Sequence, residues 1–148
     1  MLIALPLLVI PVVLYNLVVL TSVLGGGDGA AAAAGADAVL RDPMFSIPMA
    51  SGAQWTISAG DMILFVGLIL LFFELVKSTS SQRAAIINHA LSMILFVVCL
   101  VEFLLIRGFA TSTFFLIVTM VMLDVLAGFI VTIITARKDF DFSGGAEA

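Results

Sequence analysis

Apolar residues in this chain neither alternate nor recur on one helical face; they run on. Four long apolar runs cover residues 2–24, 59–77, 84–107 and 112–136. A helix crosses a bilayer with about 20 mostly apolar residues, and each run is near that length. Spanning strands must close into a barrel and alternate in character, which these continuous runs do not, so all four are predicted to be helices. The first run carries no charge, and no Lys or Arg precedes it. It is longer than the apolar core of a signal peptide and reads as an uncleaved anchor. A cleaved signal is the alternative, offered by the small residues that follow. The expected fold is all-α: an antiparallel bundle of four transmembrane helices, one membrane domain over residues 1–148.

Two segments fall outside the runs. Residues 25–58 form an outward segment of about 34 residues. Its first part is rich in Gly and Ala, with five consecutive alanines, and reads as a flexible linker. Its second part alternates: Phe45, Ile47 and Met49 are interleaved with Ser46 and Pro48, and Trp55 and Ile57 resume the pattern after the Ser51-Gly52 turn signal. An amphipathic hairpin on the outer membrane surface is one reading, with Trp55 as its interface anchor. An irregular loop with one interfacial Trp is the other. The cytoplasmic tail covers residues 137–148, and its short, polar part from residue 139 on is expected to be disordered.

Composition confirms the class: of 148 residues, 63% are hydrophobic and 11% charged. Mean hydropathy is +1.30. Six Lys and Arg against ten Asp and Glu leave no basic footprint for nucleic acid. Basic residues also set orientation. Lys77, Arg83, Arg137 and Lys138 flank one side, Arg41 and Arg107 the other. Both termini and the loop at 78–82 are therefore expected in the cytoplasm, with 25–58 and 108–111 outside.

Chemistry must come from polar groups inside the runs, where ionisable residues are costly. They are Glu74, His89, Glu102 and Asp124, with Asn16 as a neutral companion. At about 100° per residue, three runs each carry one small-polar stripe. In the third, Asn88, Ser92 and Cys99 align with Glu102, and His89 stands at the edge. In the fourth, Gly128, Thr132 and Thr135 accompany Asp124. In the second, Gly67 lines up with Glu74. Such stripes suit close helix pairing, with lipid against the aliphatic sides. One reading makes Asp124 and Glu102 packing groups, hydrogen-bonded to Asn16, Thr119 or backbone, while Glu74 snorkels toward Lys77. The other makes Asp124, Glu102 and His89 carriers of a proton or cation.

A single Cys99 and a single His89 exclude an intrachain disulfide, a cysteine metal cluster, a bis-His haem site and a three-His zinc site within one chain. No phosphate-binding Gly loop, nucleophile elbow or HExxH motif is present. His89 and Glu102 are thirteen residues apart, about 20 Å along one helix, so they cannot act together within one chain. The expectation is a non-enzymatic membrane protein without cofactor or metal. Its partners would be the lipid bilayer and other membrane chains or copies of itself, as an accessory or assembly subunit. A small proton- or cation-coupled transporter or channel using Asp124 and Glu102 is the alternative.

The stretches GDMILFVGLILLFFELVKS, NHALSMILFVVCLVEFLLIRGFATSTFF and LDVLAGFIVTIITARKDF resemble small uncharacterised four-span inner-membrane proteins of bacteria. That resemblance covers about the last two thirds of the chain and implies a bacterial inner-membrane location, but no mechanism. An acid within a span is also similar to small multidrug-resistance transporters. Their functional Glu lies in the first span, however, and the first run here has no acid.

Overall fold

A computed structural model describes the backbone at residues 5–25, 29–77 and 82–144, and the side chains there except at 82–85 and 135–144. Five helices and one hairpin follow in the order α1 (Val9–Leu24), α2 (Gly29–Arg41), β1 (Pro43–Pro48), β2 (Gln54–Ser58), α3 (Ala59–Lys77), α4 (Gln82–Leu105) and α5 (Ser112–Gly144), with a 3-10 turn at Arg107–Phe109 before α5. Three segments are long and apolar enough to cross a membrane: Ala59–Lys77, Ile86–Leu105 and Ser112–Ile134. Three of the four predicted spans thus have the required length. The first run instead yields a shorter apolar helix of 16 residues, α1, beginning beyond Pro6.

Alpha5 is the hub. It packs against α4 and α3 and touches α1, while α1 also meets α2 and α3. Its inward face buries Phe114, Ile117, Val118, Met120, Val121 and Val125. Leu8, Val12, Tyr15 and Val19 come in from α1, and Leu71 from α3. The opposite sides of α1, α3, α4 and α5 display Leu, Ile, Val and Phe to the outside.

Local sequence explains the helix starts. Ser58 and Asp61 form a reciprocal cap on α3: Asp61 Oδ2 accepts Ser58 N–H at 2.9 Å, and Asp61 N–H donates to Ser58 Oγ at 3.2 Å. Thr111 caps α5, its Oγ1 accepting Phe114 N–H at 3.2 Å.

Residues 43–58 form the antiparallel hairpin, in a register that pairs Phe45 with Ile57 and Ile47 with Trp55. Four apolar side chains therefore share one face. Gly52 closes the turn at φ 84°, a conformation that a side chain resists. Trp55 is exposed, and Ile57 is tucked in where β2 passes into α3.

Two expectations are corrected. The Ala-rich stretch is not a flexible linker; it is α2, which buries Ala32, Ala36 and Leu40 at helical spacing. Alanine is the best helix former, and its small side chain lets α2 lie close on α1 and on the Arg107–Phe109 turn. The tail was also expected to be disordered from residue 139, but α5 continues to Gly144. Nothing between Ala136 and Ser143 breaks a helix. Of the predicted loop at 78–82, Gln82 already belongs to α4, and residues 78–81, like the last four residues, lie outside the described residues.

Candidate intramembrane polar centre

In the half of the bundle remote from the hairpin, α3, α4, α5 and the start of α1 converge on two buried acids. Glu74 is fully buried. Its Oε2 accepts the Leu7 N–H at 2.7 Å, ahead of α1. Its Oε1 accepts a hydrogen bond from Asn88 Nδ2 of α4. Lys77, one turn along α3, places Nζ 2.9 Å from Oε1 and also donates to Leu5 O at 2.8 Å. Glu74 therefore does pair with Lys77, but it does not snorkel. Its carboxylate ties three segments together.

Asp124 of α5 is 4% exposed. Ser92 of α4 faces its carboxyl, and Glu74, His89 and Lys77 are its electrostatic neighbours. Yet Asp124 Oδ2 forms no hydrogen bond of ordinary geometry, and neither do the buried Asn88 Oδ1, Ser92 Oγ and His89 Nε2. Asn88 and Ser92 are one helical turn apart on the same side of α4. The expected partners for Asp124 are engaged elsewhere. Asn16 donates to Val12 O at 3.1 Å and to Glu102 Oε2 at 3.4 Å, and Thr119 donates to Phe115 O at 2.9 Å.

His89 lies over Gly128. A methyl group at that position would fall inside the imidazole, so only glycine allows this approach. The ring is held edge-on to Phe129 at 4.7 Å between centroids. Thr132 is exposed and donates back to Gly128 O at 2.8 Å. The Thr135 side chain lies outside the described residues. Gly67 of α3 faces Met120, and a Cβ there would sit 3.1 Å from its sulfur. Cys99 is buried against α5 farther along α4.

Glu102 belongs to a different place. It is ten residues beyond Ser92, about 15 Å along α4. There it is half-buried near Asn16, close to a polar knot that the sequence reading missed. Tyr15 Oη donates to Gly108 O at 3.1 Å and shares a hydrogen bond with Thr111 Oγ1 at 2.5 Å. Its ring packs on Phe109 and Phe114. The available signal was its type: it is the chain's one tyrosine, set in an apolar run, where a buried phenol needs a partner.

Among the described residues, no group of three or more His, Cys, Asp and Glu could hold a metal ion. No family model, curated protein or solved structure matches the chain.

Proposed function

We propose that the protein is a non-enzymatic, multi-pass subunit of the bacterial inner membrane that works joined to other membrane chains or to copies of itself. In this reading α1, extended by the apolar residues before it, is a fourth span, both termini are cytoplasmic and the hairpin rests on the outer surface. The observation that carries the association is Glu102. It is a half-buried carboxyl on α4, the least covered of the long apolar helices, with 17% of its span buried against 44% for α5. A carboxyl at the edge of an apolar surface gains most from a polar group on another helix.

Purification of the tagged chain in mild detergent, with mass spectrometry of whatever co-migrates, tests this reading. A second chain, or a dimer that Glu102→Leu dissociates, is the expected result. A strictly monomeric species overturns it. Orientation is tested by labelling single cysteines at Ala53 and Ser80 in a Cys99→Ser background. Ala53 should react from outside and Ser80 only after permeabilisation.

A second reading, proton- or cation-coupled transport, is favoured by the unpartnered Asp124 Oδ2. It gains nothing from Glu102, which is too far for direct transfer and bonded to Asn16. Proteoliposomes test it. Wild-type flux that Asp124→Asn abolishes is expected, and no flux under any gradient removes this reading.

A further inference from the structure

Three buried oxygens on α4 and α5 make no hydrogen bond of ordinary geometry, Asn88 Oδ1, Ser92 Oγ and Asp124 Oδ2, with His89 Nε2 beside them in the same state, and Ser92 faces the Asp124 carboxyl. All three residues are more than nine-tenths buried, at 5%, 0% and 4% exposure. Asn88 cannot turn its amide to relieve the deficit. Its Nδ2 is committed to Glu74, which leaves Oδ1 as the unmatched atom. Buried polar atoms left in this way are rare and call for an occupant.

Charge decides what kind. Lys77 balances Glu74, whose two oxygens are both engaged. Asp124 remains: of the groups that face it, Lys77 is already paired with Glu74, and His89 makes no hydrogen bond through Nε2. One further positive charge makes the centre neutral, whereas a divalent ion would leave it charged and would want a second free carboxylate. Two neutral oxygens and one carboxylate form a hard, oxygen-only set, unlike the imidazole and thiolate sites that hold transition metals. A water molecule could satisfy the hydrogen bonds, but it would leave the charge in place.

We propose that Asn88, Ser92 and Asp124 form an intramembrane binding site for one monovalent cation, with Na+ as the ion and the proton as its competitor on Asp124. The site sits about 18 Å along α5 from Ser112, far from either end of the span. The charged and titratable groups facing Asp124 are Glu74 and Lys77 from α3 and His89 from α4. This deepens the transport reading by naming the ion, but it rests on that reading only for what the ion is used for. Equilibrium binding stands without flux. Binding without flux removes transport and keeps the site; flux with no Na+ dependence of binding removes the site.

The test uses the full chain in lipid nanodiscs. Dicyclohexylcarbodiimide attacks a carboxyl that is protonated in an apolar setting, and mass spectrometry locates the adduct. Sodium chloride is compared with choline chloride at equal ionic strength. Mass action predicts that modification of Asp124 slows about tenfold once Na+ exceeds its Kd about tenfold. Ser92→Ala should shrink the ratio of the rates in the two salts, whatever it does to the rate in choline. The melting temperature gives a second readout that needs no reaction. Na+ should raise it for wild type and not for Asp124→Asn. Modification at equal rates in the two salts across the pH range overturns the proposal and leaves the proton as the only occupant. If Asp124 reacts in neither salt, the melting temperature decides: a rise with Na+ upholds the site, and no rise overturns it.

Discussion

Glu74 and Asp124 are both acids, both buried and both at the same convergence of helices, yet their surroundings differ. Each Glu74 oxygen has a donor drawn from α4, from Lys77 or from the chain ahead of α1. Asp124 is nearly as enclosed, but one of its oxygens has no protein donor. Burial alone therefore does not assign a role to an intramembrane acid. A carboxylate whose bonds are all made within the fold holds the fold; one left open is available for a ligand.

The comparison breaks most visibly at Glu74. Glu74→Ala strands the Lys77 ammonium, the Asn88 amide and the Leu7 N–H together. Removing one partner of a buried pair costs about 3–5 kcal/mol, and thermal unfolding in nanodiscs should register that loss. A smaller loss than for Asp124→Asn would invert the comparison. Next comes Gly128→Val, which drives a branched side chain into His89 and should cost about 1–3 kcal/mol as overpacking. It should also disturb the α4–α5 seam that brings Ser92 to Asp124, so the Na+ effect on melting should shrink with it. Tyr15→Phe is the neutral control at the other end of the bundle. It removes hydrogen bonds but no charge, and about 1 kcal/mol is expected in the same assay. The smallest effect is expected for Asp124→Asn, below about 1 kcal/mol, the scale of one interhelical hydrogen bond in lipid.

Length and apolarity made α3, α4 and α5 legible, because a continuous run of that kind has few other uses. Alternation and the Ser51-Gly52 turn made the hairpin one of two readings, and the pairing of Ile47 with Trp55 follows the same period of two. Alpha2 was not legible. An alanine run with scattered glycines has the composition of a linker, and what makes it a helix is the surface of α1 and the 107–109 turn beneath it. Within the polar centre, angular spacing put Asn88 and Ser92 on one face of α4 and brought Gly128 close to Asp124. It could not tell which donor meets which acceptor. The Leu7 N–H, 67 residues from Glu74 in sequence, has no side-chain signal at all. Likewise nothing in the order of residues says that Asn16 bonds Glu102 rather than Asp124.

That backbone contact between Leu7 and Glu74 also bears on how the chain is made. On the four-span reading proposed above, synthesis delivers α1 to the bilayer well before α3 emerges, and in that interval the Leu7 amide has no acceptor in hydrocarbon, where an unmatched N–H costs several kcal/mol. The first helix is thus a provisional insert, stable only once its latch on a later helix has been synthesised. A nascent chain stalled after residue 58 should keep α1 beside the insertion machinery. One extended beyond residue 77 should release both helices together, and site-specific crosslinking along a ladder of chain lengths would time that release.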